Sequence, residues 1–442
     1  MKKFCHRCLV GSWSVLALVL LLVPGADAQQ VEVSSTLNPV GSGARATGMG
    51  GAFISVADDA TAASWNPAGL IHLERPEVSA VGAFFSRSQT YNSDIHPEID
   101  TTNNMDAGGL NYASAAYPFV FMKHNMIVSL NYQRLYEMDK EVDFNYTWDI
   151  SGSKLYDTIH FVQKGYLYAL APAFAVQVVP QLYLGVTVNF WGDYVGKNGW
   201  DNTYTSNAQG NVIGHDLVEK VYWTNRMSFR GTNANIGFIW NVSGPITIGG
   251  VYKTAFDGKL NKETVFSESQ DWTDLSQHTE TSQTTAEELT MKMPASYGLG
   301  VSYRQSDKWL IALDVYRTRW SRFFLVDSRG NEINPLDGRL LSEGRLKDTT
   351  QVRLGTEYLF IKEKYAIPLR AGVFYDPEPA KESLDDFYGL SLGTGFSTRK
   401  FSLDASYQFR FGRQVTGDLP SIKGSSADIN QHTVMMSVIY YF

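Results

Sequence analysis

Apolar and polar residues alternate with a period of two over much of the chain beyond residue 77. Between Ser296 and Arg304, for example, Tyr297, Leu299 and Val301 share one face and small or polar residues occupy the other. Successive side chains of a β-strand point to opposite faces, so the pattern predicts strands with one apolar and one polar face. A strand of about 9–11 residues can cross a membrane, and most of these segments have roughly that length.

Fourteen such segments can be distinguished along the chain. Outer-membrane barrels have an even number of antiparallel strands that alternate apolar and polar residues. We therefore predict an all-β transmembrane barrel of about 14 antiparallel strands. The segments are 78–89, 108–117, 126–137, 165–178, 182–194, 226–241, 246–256, 295–305, 309–319, 351–360, 368–375, 387–397, 400–411 and 432–442.

The gaps between these segments alternate between long and short. Outer-membrane barrels have short periplasmic turns and long external loops, whereas a soluble β-sandwich has no reason to alternate its loop lengths. With an even strand number and a long first gap, both chain ends are predicted in the periplasm. The long gaps are 90–107, 138–164, 195–225, 257–294, 320–350, 376–386 and 412–431.

The composition agrees with a barrel surrounded by outer-membrane lipids. The chain has 24 Tyr, 24 Phe and 10 Trp, and aromatic girdles flank the apolar band of such barrels. It ends in Tyr440-Tyr441-Phe442 on the last alternating segment, a pattern similar to the signal read by the barrel assembly machinery. The net charge of −7 gives no basic excess, so no nucleic-acid partner is expected. We expect a monomer.

The first 28 residues have the features of a secretory signal peptide. Lys2, Lys3 and Arg7 precede an apolar stretch at 15–23, and small residues lead up to a cleavage site after Ala28. Both cysteines of the chain lie before the apolar stretch, which excludes disulfides and thiolate metal sites from the mature protein. We expect no cofactor and no metal.

Residues 29–77 are rich in glycine and do not alternate. Gly41, Gly43 and Ala46 match a loose nucleotide-binding motif, but no strand–helix unit surrounds them. Asp58 and Asp59 suggest a metal or catalytic pair, although adjacent carboxylates more often cap helices. The third interpretation is a plug of short helices inside the barrel. The predicted domains are a signal peptide at 1–28, the plug at 29–77 and the barrel at 78–442.

The glycine-rich stretch resembles the amino-terminal signature of the FadL/TodX outer-membrane transport family. The similarity covers residues 43–53, 57–62 and 66–70, and it extends to Met293–Gly300 and Arg353–Tyr358. Carried over from that signature, the plug motif of this chain consists of Gly48, Gly50, Gly51, Asn66, Pro67 and Ala68. The resemblance implies a fourteen-stranded barrel closed by an amino-terminal plug.

The resemblance also implies a function, which is passive uptake of long-chain fatty acids or small aromatic hydrocarbons. The expected partner is thus a hydrophobic small molecule, either a fatty acid or an aromatic hydrocarbon. Relatives of similar signature also serve as accessory or scaffold proteins in protein secretion, so this role remains an alternative. A diffusion porin for polar solutes is a third possibility, which a plug disfavours.

Candidate ligand contacts come from the plug and from the polar face of the strands. The alternative is that the plug residues form the plug's own packing and that the strand residues, with Asp314, Glu357, Asp404 and Gln408, form a polar network holding the barrel in shape. A carboxylate ligand needs a cationic partner, which makes the arginines candidates. The candidates are Phe53, Ile54, Trp65, Arg304, Arg353, Arg370 and Arg410.

Two further patterns have functional interpretations. The aromatic residues of the long gaps could form a capture surface, or they could be ordinary loop packing. Gly389–Gly393 matches the G-x-S-x-G motif of hydrolases, but the motif lies within an alternating segment with no helix after it, so no enzyme is predicted. The loop aromatics in question are Trp200, Tyr204, Tyr222, Trp223 and Trp272.

Overall fold

The structure is a computed structural model that describes residues 42–442 except 151, 337, 382, 418 and 420–424. The predicted signal peptide at 1–28 and the first part of the predicted plug, residues 29–41, lie outside the described residues. No helix in the described part of the chain is long and apolar enough to cross a membrane.

The described residues form twenty β-strands. They are β1 (Glu77–Asn92), β2 (Thr101–Phe121), β3 (His124–Glu137), β4 (Lys140–Ile150), β5 (Ser153–Val179), β6 (Leu182–Trp191), β7 (Gly199–Val212), β8 (His215–Ser243), β9 (Ile246–Lys253), β10 (Phe256–Trp272), β11 (Gln277–Met293), β12 (Ser296–Ser306), β13 (Trp309–Thr318), β14 (Phe324–Val326), β15 (Glu332–Ile333), β16 (Thr349–Ile361), β17 (Ala366–Tyr375), β18 (Phe387–Ser397), β19 (Phe401–Thr416) and β20 (Ser426–Tyr441).

Fourteen of these strands close into one antiparallel cylinder. Going round the wall, the order is β1, β2, β3, β5, β6, β8, β9, β12, β13, β16, β17, β18, β19 and β20. The last strand returns to the first, with Val78 opposite Tyr440, so the cylinder has no free edge. Each segment predicted from alternation overlaps one of these fourteen strands, which confirms the predicted barrel.

The wall carries its polar side chains on the inside and its apolar side chains on the outside, the reverse of a soluble protein. On β12 the inward side chain of Ser296 is 2% exposed, whereas the outward Leu299 is 62% exposed. The same alternation recurs on β13 and β16–β19. In a bilayer the outward apolar side chains contact lipid, while the polar faces are covered from inside.

Short turns gather at the end of the barrel where the chain enters and leaves it. Six connections there have two to four residues: 122–123, 180–181, 244–245, 307–308, 362–365 and 398–400. In the first, Met122 and Lys123 have φ values of 47° and 67°, as a two-residue type I′ hairpin requires. We refer to this end as the periplasmic end and to the opposite one as the outer end, following the short-turn rule for outer-membrane barrels.

The other six strands build a sheet beyond the outer end. β5 and β8 are 27 and 29 residues long, and their outer halves pair with β4, β7 and β10. β11, β14 and β15 continue this sheet. These strands lie in regions predicted as gaps, and local alternation conceals β10 and β11 because both of their faces carry polar residues.

The residues before β1 fill the lumen. We name residues 42–76 the head segment; it contains α1 (Ala44–Gly48), α2 (Ala62–Trp65) and a 3₁₀ helix (Pro67–His72). Helix α1 packs on β17–β20, whereas the 3₁₀ helix packs on β5, β6 and β8 across the cylinder. Contact with opposite walls places the segment inside the barrel.

Glycines in the wall let the head segment come close to the strands. A Cβ atom on Gly185 would lie 2.3 Å from the Ala68 nitrogen, and one on Gly355 would lie 2.2 Å from the Met49 oxygen. Real Cβ atoms do not approach so closely, so only glycine permits this contact between backbones. The glycines on the inner face of the wall therefore allow the head segment to pack closely against the strands.

Candidate functional site

Hydrogen bonds from wall side chains and from Asn66 hold the backbone of the head segment. The Oδ2 atom of Asp314 accepts hydrogen bonds from the backbone nitrogens of Phe53 (2.6 Å) and Ile54 (2.8 Å). The Nδ2 atom of Asn66 donates to the oxygens of Phe238 (2.9 Å) and Ile54 (2.8 Å). Because these groups are buried, their backbone partners could not find water instead.

An ion-pair network lies on the periplasmic side of the head segment. Arg45 of α1 contacts Asp58 and donates two hydrogen bonds of 3.0 Å to the carboxylate of Glu357. Arg370 donates to Glu357 and to Asp404, at 2.6 Å in each case. Arg370 was predicted as a ligand contact, and here its guanidinium is engaged by two carboxylates.

The other predicted arginines differ in their surroundings. Arg410 donates to Asp376 (3.1 Å) and Glu378 (2.6 Å), and its guanidinium lies 3.7 Å from the centroid of the Phe387 ring. Arg353 is buried, donates to the side chain of Gln351 at 3.2 Å and lies 3.7 Å from Asp376. Arg304 is exposed and Gln408 half-buried. Direct contact of these arginines with a ligand stays a prediction.

The predicted head-segment contacts pack largely among themselves. The rings of Phe53 and Trp65 meet edge to face with centroids 5.9 Å apart, and the Trp65 Nε1 atom donates to the Ser42 oxygen at 2.8 Å. Ile54 packs with Val251 and Tyr316 of the wall. This arrangement agrees with the alternative that these side chains build the interior of the head segment.

Each part of the plug motif meets the wall. Gly48 lies against Gly393, and Gly50 and Gly51 have φ values of 66° and 77°, a region that favours glycine. Asn66, Pro67 and Ala68 form the start of the 3₁₀ helix, where the Asn66 side chain accepts a hydrogen bond from the Ala68 nitrogen at 3.2 Å. The motif therefore lies where the head segment and the wall touch.

An aromatic cluster occupies the lumen on the outer side of the head segment. We name it the lumen cluster; it comprises Tyr136, Trp191, Phe229, Phe256 and Met293. The rings of Trp191 and Phe256 are stacked with centroids 5.9 Å apart and planes 15° apart. Phe229 meets Trp191 edge to face, also at 5.9 Å.

The β6 strand shows why this cluster faces inward. Gly185, Thr187 and Trp191 lie on one face of the strand, because side chains two or four residues apart point the same way. Gly185 contacts the head segment, and the Thr187 hydroxyl donates to the Ala63 oxygen at 3.0 Å. Trp191 therefore lies in the lumen, farther out than the head segment.

A layer of polar side chains separates the head segment from the lumen cluster. Gln133 donates to Asn189 at 3.5 Å, and Asn189 donates to Asn235 at 3.3 Å. The Gln133 Oε1 atom is buried and has no hydrogen-bond partner among the described residues. The layer thus offers at least one free acceptor to the lumen.

Lys253 belongs to the same layer. It lies opposite Asn235 on β8 and Ser296 on β12, and its Nζ atom is 5.8 Å from the centroid of the Tyr316 ring. The residue is only 8% exposed, yet its side chain makes no salt bridge or hydrogen bond with any described residue. A buried ammonium without an anionic partner is costly, which makes Lys253 the clearest candidate for binding an anionic group.

Sequence reasoning missed both the lumen cluster and Lys253. The predicted candidates lie on strands with clean alternation, whereas Trp191, Lys253 and Met293 end their strands and Tyr136 borders a bulge. A lone lysine at a strand end carries no signal of its own. The sequence signal that could have identified the lumen cluster is the position of Trp191, which lies on the same face of β6 as Gly185 and Thr187.

The loop aromatics are mostly packed inside the outer sheet. Trp200 is buried beside the lumen cluster, and Tyr204 stacks on Trp223 with centroids 5.3 Å apart. Trp272 is buried in a separate cluster, and Tyr222 is exposed. Among them, Trp200 is therefore the residue nearest to the lumen site.

A polar cavity of about 400 Å³ opens at the periplasmic end. Arg45, Asp59, Glu77 and Glu357 are among the residues that line it. Asp59 accepts hydrogen bonds from the Thr61 nitrogen (2.8 Å) and hydroxyl (2.7 Å). Burial raises the pKa of the Asp59 carboxyl, and the nearby Arg45 partly offsets this effect.

The G-x-S-x-G match lies within β18. The Ser391 hydroxyl donates to the Gly48 oxygen at 3.1 Å, and the motif is surrounded by strand on both sides. A nucleophile elbow requires a sharp strand-to-helix turn, which this position lacks. The serine therefore contributes to docking of the head segment.

Solved structures of the same fold are known. The chain is similar to the CymD monoaromatic hydrocarbon channel, with 16% identity, coverage of 92% of this chain and 98% of that one, and a TM-score of 0.55. The toluene transporter TodX of Pseudomonas putida gives 13% identity, 92% and 100% coverage and a TM-score of 0.55. The toluene transporter TbuX of Ralstonia pickettii is 14% identical, the match covers 92% of this chain and 99% of that one, and the TM-score is 0.52.

These identities establish a shared fold and no more. No curated protein matches the sequence. The family model described as outer membrane protein transport protein (OMPP1/FadL/TodX) matches residues 21–436, nearly the whole chain. The expected family resemblance is thereby confirmed, and the outer membrane is its location. The chain therefore belongs to the OMPP1/FadL/TodX family of outer membrane transport proteins.

Proposed function

We propose that this protein is a channel for passive uptake of long-chain fatty acids, with the head segment as its gate. The observation that carries the proposal is the position of Lys253 between the head segment and the lumen cluster, where its buried ammonium has no anionic partner among the described residues. An amphiphile with one carboxylate and an apolar tail matches this arrangement. The predicted boundary between plug and barrel, at residues 77 and 78, lies one residue inside β1, which begins at Glu77.

The lumen cluster would hold the tail. Burying a methylene group stabilises a complex by about 0.8 kcal/mol. About a dozen methylenes would therefore contribute on the order of 10 kcal/mol before the entropic cost of binding. Met293 and the neighbouring Met291 add flexible side chains that adapt to a tail of variable shape.

Lys253 would hold the carboxylate. A hydrogen bond to a charged group contributes about 1.5–3 kcal/mol to the binding free energy. The contribution is larger when the site excludes water. Arg353, Arg370 and Arg410 are less suited to the task, since carboxylates of the protein already engage them. The ligand would thus point its head inward, toward the head segment.

The head segment would then control passage. It fills the lumen beyond Lys253 and is fixed by Asp314, Asn66 and the Arg45–Glu357 pair. Uptake requires these contacts to rearrange, because a ligand bound to a rigid pocket would remain there. Binding energy of the ligand can offset the cost only if the shifted state binds it better.

The decisive experiment compares two ligand classes in a Lys253→Met variant. If Lys253 binds the carboxylate, affinity for palmitate falls roughly 10- to 150-fold, the equivalent of about 1.5–3 kcal/mol. Binding of toluene, which has no carboxylate, stays within twofold of the parent. Lys259→Met serves as a control, because Lys259 is an exposed lysine on β10. Unchanged palmitate binding would contradict the role of Lys253.

A second candidate ligand is a small aromatic hydrocarbon. The stacked rings of Trp191 and Phe256 favour it, because aromatic pairs contribute about 0.5–1.5 kcal/mol beyond the area they bury. Tight binding of toluene together with no measurable palmitate binding by the parent protein would select this candidate. Uptake of labelled palmitate and labelled toluene by cells would then show which of the two ligands the protein transports faster.

A further inference from the structure

Three potential metal ligands meet on the hairpin of β4 and β5, in the outer sheet. Asp143 lies directly opposite His160 in the strand register, and Glu141 lies two residues from Asp143 on the same strand. One donor atom from each of the three side chains lies within 4.8 Å of the other two. These positions place an imidazole and two carboxylates on one face of the sheet.

The opposite face of the hairpin is apolar and buried. Val142, Phe144, Ile159 and Phe161 alternate with the three residues and pack into a hydrophobic cluster. The hairpin is therefore held on one side by a core and presents Glu141, Asp143 and His160 to the medium. An ion could reach the three donors directly from outside.

Asp143 is held in place by a neighbouring strand. The Asn103 side chain on β2 accepts a hydrogen bond from the Asp143 nitrogen (2.9 Å) and donates one to the Asp143 oxygen (3.4 Å). The Asp143 carboxylate contacts the Nδ1 atom of His160. Glu141 forms no salt bridge with any described residue, so the group carries an excess of negative charge.

The same His–Asp contact occurs elsewhere on the outer sheet without a third ligand. His278 lies opposite Asp271 on β10 and β11, with 2.6 Å between Nδ1 and Oδ1. His215 contacts Asp274 at 2.7 Å in a similar way. Among the described residues, only the Glu141–Asp143–His160 group adds a second carboxylate within reach.

We propose that Glu141, Asp143 and His160 bind a divalent first-row transition-metal cation, with Zn²⁺ as the probe. Imidazole nitrogen and carboxylate oxygen bind Zn²⁺ at about 2.0–2.2 Å, so the three donors converge after small side-chain rotations. The cation takes the place of the hydrogen between Nδ1 and Oδ1, and the imidazole binds in its neutral form. Water completes the coordination shell.

Isothermal titration of the purified full-length protein in detergent tests the site. We expect one Zn²⁺ per chain in the parent and at least tenfold weaker binding in both His160→Ala and Glu141→Gln. His278→Ala is the matched control, because it removes a His–Asp pair that lacks a third ligand, and it should bind like the parent. Both substituted side chains lie on the surface, and far-ultraviolet circular dichroism verifies the fold of each variant.

Three results would overturn the proposal. They are no Zn²⁺ binding by the parent at millimolar concentration, equal binding by the parent and His160→Ala, and displacement of Zn²⁺ by an equal concentration of Ca²⁺. The last result would indicate a site made of oxygen donors alone, because Ca²⁺ prefers oxygen ligands.

Discussion

Arg45 grips both carboxylate oxygens of Glu357, with its Nε and Nη2 atoms 3.0 Å from one oxygen each. This bidentate pair joins helix α1 of the head segment to strand β16 of the wall. Planar fork-to-fork pairs of this kind fix orientation as well as distance. The pair is therefore positioned to keep the head segment closed.

Removing Arg45 should loosen the head segment. Breaking a buried ion pair lowers stability by about 3–5 kcal/mol. Because Arg45 is partly exposed, we expect its removal to destabilise docking of the head segment by about 3 kcal/mol or less. Arg45→Ala should therefore show higher single-channel conductance in planar bilayers than the parent. Arg75→Ala is the control, since Arg75 is exposed and bonds only the Arg399 oxygen among described residues. Equal conductance of all three proteins would contradict a latch role.

A methyl group on Gly355 should prevent close docking of the head segment. The added Cβ would lie 2.2 Å from the Met49 oxygen, whereas a Cβ on Gly82 would meet nothing within 4 Å. In Gly355→Ala, protease should therefore cleave the head segment at least ten times faster than in the parent. Gly82→Ala should be cleaved at the rate of the parent. Cleavage can be followed by mass spectrometry. Equal rates for the two variants would indicate that the backbones do not meet in this way.

Trp191 should contribute binding energy irrespective of ligand charge. Trp191→Ala removes a stacked ring from the lumen cluster, and we expect about tenfold weaker binding, near 1.4 kcal/mol, for palmitate and toluene alike. Trp240→Ala is the control, because Trp240 is exposed on the outer wall. Tryptophan fluorescence titration measures both affinities. A selective loss of palmitate binding would mean that the ring does not contact the apolar part of the ligand.

Asp59 should destabilise the closed state at neutral pH. Its pKa is raised in the folded protein, mainly by burial, so its favourable contribution is present below the unfolded pKa of about 3.9 and is lost as pH rises through the folded value. Asp59→Asn retains an acceptor for Thr61 without the charge. The variant should have a higher thermal midpoint than the parent at pH 7 and an equal one near pH 3. A constant difference across this range would exclude titration of Asp59 as the cause.

The strands of the wall could be predicted because lipid imposes a simple rule on them. Outward positions such as Leu299 must be apolar, and inward positions such as Gly300 face the head segment, so the sequence alternates. The outer sheet follows no such rule, because both faces of β10 and β11 carry polar residues. β10 pairs with the extended β8 and β11 pairs with β10, and the local pattern does not identify these partners.

The site was harder to predict for a different reason. Alternation indicates which way Arg370 and Arg410 point, but it does not indicate whether a carboxylate such as Asp404 or Asp376 lies within reach on a nearby strand or loop. Lys253 differs from these arginines in having no such partner among the described residues. That property depends on the full three-dimensional arrangement of the wall.

The contacts of α1 with β17–β20 impose an order on assembly. The head segment leaves the ribosome before any of the strands that receive it, and its binding surface is complete only when the last strand is made. The final residue also reaches back, as the Phe442 nitrogen donates to the Pro76 oxygen at 2.9 Å. Truncation within the last strands would therefore remove part of the surface on which the head segment packs. An incomplete chain would be recognisable because its head segment is not docked.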